Sequence, residues 1–325
     1  MALSDIVTFQ REAYTLRNEI VRDKIDLFNE ATRGGIVLSQ AALGENQGSF
    51  SSKTFFQKKT TVRRRNANAT TAISSLAMTE LKEASVKVAA GTPELIYDGS
   101  DFLWTGRDRD TALAVFSEQM ATEMFADMLG VGLKAFFAAV SAQATNFNDV
   151  SALAGDLAKF TPNTALDTAM KLGDAYSGLA AWVCNAASVQ QFFGYNMANA
   201  AKLFTWGNVS VLSDSMGRPI IVTDACPIIA GAPNKYQVAG LMPGGIQLQQ
   251  NADFNDASRE ITGNEQIRYA YQAEWSYQLG LKGFTWDIAN GGSSPNDATL
   301  ATATNWDKTA TDKRDLAGVV LRTAI

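Results

Sequence analysis

The chain contains no histidine. That absence removes imidazole general bases, Ser-His and Cys-His dyads and His-ligated zinc or iron together. Cysteine is almost as scarce. Cys184 and Cys226 are the only two, in the apolar, strand-like settings AAWVCN and VTDACP and without CxxC spacing. A cysteine metal cage is thereby excluded, and two buried, reduced thiols are expected. No apolar run approaches eighteen residues, so no membrane-spanning helix is expected. The opening MALSDIVTFQREAY meets acids at once and lacks the apolar core of a secretory signal. The expectation is a protein that works where it is made or leaves by lysis. A chain that is 46% hydrophobic and 19% charged is neither disordered nor fibrous, and 325 residues admit two domains or one elaborated domain.

Motifs for chemistry are missing as well. There is no GxxxxGK[ST] and no GxGxxG after a strand; GVGLKA at 130–135 falls inside a helical pattern. HExxH, EF-hand loops and GxSxG are absent too. Carboxylate-only catalysis is what remains, with Asp214 and Asp224 flanking a strand–turn–strand at 209–226. Turn and strand-end duty is the simpler account of both. Asn68 and Asn208 fit NxS/T, which carries no weight without a secretory route. No catalytic, cofactor-binding or metal-ligating residue is expected, and no cofactor.

Acidic residues are absent from one long interval, 46–79, which holds Lys53, Lys58, Lys59, Arg63, Arg64 and Arg65. It carries +6; subtracting that from the net charge of −5 leaves −11 on the rest. A basic segment thus sits on an acidic body. A solvated loop or a nucleic-acid patch is the ordinary reading of such a run. Confinement to one stretch of an acidic protein, with no known binding motif around it, argues against nucleic acid.

Along the chain, Ile6, Phe9, Ala13, Leu16 and Ile20 recur at helical spacing, so a helix is predicted over 4–33, capped by Ser4 and stopped by Gly34 and Gly35. SSKTFFQKKTTVRRR reads as strand with no apolar face, NANATTA as a turn, and SVKV as the returning strand. A ribbon without a dry face is marginal alone and must be held by something else, for which a second copy of the acidic body is the obvious candidate. The longest helical pattern covers 108–144. Glu123 and Asp127 lie four apart on it, a like-charge pair that a cationic neighbour would turn into a docking site. Gly130 and Gly132 mark a bend or close packing. Residues 162–242 alternate: helix through TALDTAMKLGDAY, strand AAWVCN, helix through SVQQFFGYNMANAAKLF, then the VSVLSDSMGRPIIVTDACP hairpin. QIRYAYQAEWSYQLGLKGFTWD is a long aromatic strand, the following tail is loop-like, and LAGVVLRTAI closes as a strand.

This order of elements resembles the major capsid proteins of tailed bacteriophages with the Hong Kong 97-type fold. SDSMGRPIIVTDACP and the GTPELIYDGSDFLW lead-in to the long helix are the most recognisable pieces. The resemblance spans nearly the whole chain, and its motifs are loose. It implies an α+β capsid fold: an N-terminal arm at 1–45, an extended E-loop at 46–90, and a peripheral domain at 91–161 with the spine helix at 108–144. An axial domain at 162–242 and a return to the peripheral domain with a C-terminal strand at 243–325 complete it. The implied function is self-assembly into hexamers and pentamers of an icosahedral shell around phage double-stranded DNA, in the virion capsid, built in the host bacterial cytoplasm. Implied partners are further copies of itself, packaged DNA by non-specific contact, a portal protein, and separate scaffolding and decoration proteins, with no membrane. The chain starts at the arm without a long helical pro-segment, so scaffolding is expected from another protein. The lack of a pro-segment also puts proteolytic maturation in doubt.

Lys53, Phe55, Phe56, Lys58, Lys59, Arg63, Arg64 and Arg65 are expected to contact Glu118, Glu123 and Asp127 of a neighbour, with Phe50 adding apolar anchoring. The alternatives are an encapsulin-type nanocompartment and a carboxylate-dependent hydrolase.

Overall fold

The alternation in ELKEASVKVAAG and RYAYQAEWSYQLGL sets one face of each strand against a core. In the computed structural model, Val86 and Val88 of β3 (Glu80–Gly91) and Tyr271, Trp275, Tyr277 and Leu279 of β14 (Arg268–Leu281) are buried. The structure describes residues 21–324 except 23, 41–47, 57–63, 66, 69, 71, 74, 76, 78, 99–108, 194–200, 207–208, 214–217, 264 and 266–267.

β14 runs through the middle of the first sheet. Its first half pairs with β13 (Asn255–Ile261) and β4 (Leu95–Asp98), and its second half with β12 (Ile246–Gln250) and β3. β1 (Ile36–Gln40) joins β12 in parallel, and β2 (Phe50–Phe56) joins β3 antiparallel. The second sheet has the order β5 (Phe147–Asp149), β17 (Gly318–Ala324), β11 (Lys235–Leu241), β6 (Ala181–Cys184), β9 (Pro219–Val222), β8 (Val209–Ser213) and β7 (Ala201–Trp206). The short β10 (Ile228–Ile229) also pairs with β11. Residues 147–149 and 318–324 therefore share a sheet with strands of 162–242.

The long helix α1 (Arg109–Ser141) connects the two sheets. One continuous core joins its apolar residues to Ile246, Leu248, Tyr277 and Leu279 of the first sheet and to Val183, Ile221, Leu241 and Val320 of the second. From Val131 to Val140 it is buried almost all round. Gly132 shows the reason: a Cβ there would lie 3.1 Å from Ile246 Cγ2 and 3.3 Å from a Leu248 methyl. Close packing, rather than a bend, accounts for that glycine. By length and composition Glu118–Ser141 would suffice to cross a membrane, which corrects the expectation that no segment could. Most of that stretch is buried inside the fold, as in a core helix.

The opposite face of the second sheet carries a smaller core. There Phe160, Ala165 and Ala169 of α2 (Pro162–Met170) and its lead-in, with Val189 of α3 (Ala186–Phe193), cover Trp182, Cys184, Ile220, Val238 and Leu321. The helix predicted over 4–33 is described from residue 21 only, where 21–31 is helical apart from 23; Phe28 meets Phe125 edge-on at 5.1 Å. It ends at Gly34 with φ +68. The helix predicted through Phe204 is described as far as Phe193, and residues 194–200 lie outside the described residues. Residues 201–206 instead form β7, because β8 supplies a ladder that a short apolar run fits as well as a helix. In the tail expected as loop, α5 (Asp297–Leu300) and β16 (Trp306–Lys308) form, after the short α4 (Ile288–Gly291); β16 pairs with β15 (Phe284–Trp286), the end of the segment predicted as one aromatic strand, and Trp286 lies edge-on to Trp306 at 4.9 Å.

Candidate assembly surfaces

Strand β3 is longer than its place in the sheet requires. Residues 86–91 pair with β14, whereas 80–86 pair with β2. The outer half of β3 and all of β2 thus form a two-stranded ribbon leaving the sheet edge, with the basic connection 57–79 at its far end. Hydrogen bonds to the sheet and the turn after it root the ribbon. Gly283 N donates to Glu83 Oε1 at 2.8 Å, Ala84 N to Thr285 Oγ1 at 2.8 Å, Lys53 Nζ to Gln247 Oε1 at 3.0 Å, and Gln278 Nε2 to the Gly48 carbonyl at 3.0 Å. Burial pushes the Glu83 carboxyl above its ordinary range, against the pull of the Gly283 N–H, Lys53 and Lys282.

Of the residues predicted to meet a neighbour, Lys53 is exposed at the ribbon root, bonded to its own chain. Phe55 and Phe56 lie in β2, but their side chains, like Lys58, Lys59 and Arg63, lie outside the described residues. Arg64 and Arg65 are exposed in irregular backbone. Phe50 is partly buried against the protein's own core at the ribbon root.

The acidic side is split. Glu118, Glu123 and Asp127 all sit on the solvent-facing arc of α1. Nine residues make two and a half turns, which puts Glu118 about 180° round from Asp127, while Glu123 stands about 40° from it. Among the described residues, neither Glu118 nor Glu123 has a cationic partner. Asp127 accepts from the Tyr277 hydroxyl at 3.1 Å; desolvation of its carboxyl holds its pKa above the usual range, and Asp297 adds to this. Lys134 is taken by Asp297 at 2.6 Å.

Among the described residues, no site for chemistry forms around the remaining candidates. Cys184 and Cys226 are free and buried, and burial pushes both thiols far up, which leaves them unreactive. Asp224 is exposed, and Asp214 lies outside the described residues. Among the described residues no group of three or more acids and cysteines could hold a metal ion. A groove of about 210 Å³ opens on the polar face of the first sheet, lined by Ser51, Lys53, Glu83, Ser85, Gln247 and Gln278. Its Ser85 hydroxyl is committed to the Ser51 carbonyl at 3.2 Å. The Glu83–Gly283 clamp was invisible beforehand, because it joins residues two hundred positions apart; only the glycine in LKGF hinted at a tight turn.

The Gp13-like family model, described as major capsid protein 13-like, matches residues 5–320. No curated protein matches the chain. Among solved structures, the capsid of Helicobacter pylori bacteriophage KHP30 is 9% identical at TM-score 0.51, covering 90% of this chain and 88% of that one. The capsid of cyanophage Pam1 is 10% identical at TM-score 0.50 (89% and 88% covered), and that of Ralstonia phage GP4 is 8% identical at TM-score 0.50 (89% and 87% covered). At such identities these likenesses speak for the fold alone, which is the Hong Kong 97-like capsid fold. A family match over nearly the whole length decides between the capsid, nanocompartment and hydrolase readings. The chain belongs to the major capsid protein 13-like family and is a structural subunit of a phage capsid shell, not an enzyme.

Proposed function

We propose that this chain closes an icosahedral shell of hexamers and pentamers by laying the β2–β3 ribbon and its basic connection across a neighbouring copy. Lys58, Lys59, Arg63, Arg64 and Arg65 dock on Glu118, Glu123 and Asp127 of that neighbour, Glu123 and Asp127 forming one half of the target and Glu118 its opposite margin. Phe55 and Phe56 supply apolar anchoring, and Lys53 steadies the root. The observation that carries this reading is the ribbon itself: it leaves its sheet with +6 of charge in the interval 46–79 on a body of −11, and has no dry face of its own. In this reading residues 1–45 are the arm, 46–90 the E-loop, 91–161 and 243–325 the peripheral part, and 162–242 the axial part. The shell encloses double-stranded DNA held by non-specific contact, and an acidic body suits release of that DNA. A portal protein and separate scaffolding and decoration proteins complete the particle, which is built in the host cytoplasm.

Replacing the five basic residues with Ser tests the contact. Light scattering and electron microscopy should show the critical concentration for shells rising about three- to hundredfold at low salt, since the three carboxylates form at most three exposed pairs of about 0.2–1 kcal/mol each. The deficit should shrink towards about 1 M salt, where screening has already weakened the unaltered protein. Unchanged assembly at low salt would sink the contact.

A further inference from the structure

Helix α2 is amphipathic in the reverse sense. Its buried side is Thr164, Ala165, Thr168 and Ala169, while Leu166 and Met170, one turn apart, face solvent, Met170 at 57% exposure. The inward threonines are fully served. Thr164 closes a capping box with Thr161 and donates to the Lys159 carbonyl at 2.9 Å; Thr168 donates to the Thr164 carbonyl at 2.7 Å and accepts from Asn148 Nδ2 at 3.0 Å. The inner side therefore needs no leucine, and two large apolar side chains are left outside. The neighbouring segments repeat the pattern. Leu153 is 52% and Leu157 64% exposed just before α2, and Tyr176 is exposed in the turn that packs against it. Isolated surface leucines are ordinary, whereas five large apolar side chains exposed between residues 153 and 176 are a concentration of the kind found at interaction sites.

We propose that Leu153, Leu157, Leu166, Met170 and Tyr176 form a contact surface between copies of this chain, distinct from the ribbon contact and placed on the outer side of the second sheet. The inference rests on the shell reading, which makes another copy the partner present at every position around a subunit. The rim suits that occupant. Asp167 and Lys171 flank Leu166 and Met170, and the Asp156–Lys159 pair, at 2.8 Å, lies beside Leu157. A surface bearing both signs around an apolar centre meets a copy of the same protein without net repulsion.

Two variants test it. Leu166→Cys introduces an accessible thiol beside two native ones that are buried and unreactive, so maleimide labelling reports position 166 alone. Labelling should be at least tenfold slower in assembled shells than in dissociated subunits. Leu166→Ser with Met170→Ser should leave the dissociated subunit's melting temperature unchanged and raise the critical concentration for shells at least tenfold. That deficit should persist at high salt, unlike the ribbon's. Shells in which the introduced thiol labels as fast as in free subunits overturn the proposal alone, as does the double variant assembling at the unaltered concentration. Protection that appears only on adding a scaffolding protein assigns the patch to that protein and overturns it as well. A wild-type chain that forms no shell, with or without scaffold, removes the shell reading and this proposal together.

Discussion

Asp253 ties the polar side of the first sheet together. It pairs with Lys87 at 2.8 Å and accepts from the backbone N–H and the hydroxyl of buried Ser276, which in turn accepts from buried Asn251. Burial alone would raise its pKa; the bonds from Lys87 and Ser276 outweigh it and hold the carboxyl below its ordinary value. A depressed folded pKa contributes stability above the unfolded value, lost as pH falls through the folded one. Asp253→Asn should therefore cost about 1–3 kcal/mol at neutral pH and flatten the loss of stability below about pH 4, read as melting temperature against pH. An equal acid slope in both proteins would refute this. Glu83 behaves oppositely. Its raised pKa means the folded state holds a proton more tightly, so the group's contribution falls as pH rises from the unfolded value through the folded one. Glu83→Gln keeps an acceptor for Gly283 N–H without the buried charge, and should raise rather than lower the melting temperature at pH 7.

At the scale of elements, α1 is two helices in one. Its first half shows solvent an arc bearing Glu118, Glu123 and Asp127; its second half is enclosed by both sheets. Phe136, fully buried there, should cost about 3–5 kcal/mol when cut to Ala, measured by denaturant unfolding. The turn after β14 has a different role. Gly283, at φ +76, bonds Glu83 of the ribbon and accepts from Thr309 and Ala310, and a Cβ on it would lie 2.8 Å from the Asp315 carbonyl. Gly283→Ala should destabilise by about 1–3 kcal/mol and speed hydrogen exchange in 80–86 more than elsewhere; uniform exchange would show that the turn does not root the ribbon. The stripe Leu129, Leu133, Phe136 and Val140 made α1 legible in the sequence, because a helix of this length repeats its signal many times. β7 was not legible. Six residues carry too few repeats to separate a period of 2 from 3.6, and β8 made the choice.

For the whole molecule, the second sheet depends on the end of the chain. β17 lies between β5 and β11, and buries Val319 and Leu321 in one core and Val320 in the other. Removing residues 318–325 should abolish cooperative unfolding of the second sheet, seen as loss of protection in 235–241; a truncated chain that keeps it would contradict this. From sequence alone, beside the family resemblance, came what elimination and periodicity can supply: no histidine or motif chemistry, two inert thiols, a basic ribbon on an acidic body and a long helix. Composition and spacing are local quantities, and each of those readings is local. The tertiary structure decided the rest. It paired β1 with β12 and β5 with β17 across some 170–210 residues, turned the threonines of α2 inward and its leucine and methionine outward, and clamped Glu83 on Gly283. No residue carries the address of a partner that far along the chain; only packing the two sheets on one helix brings them together.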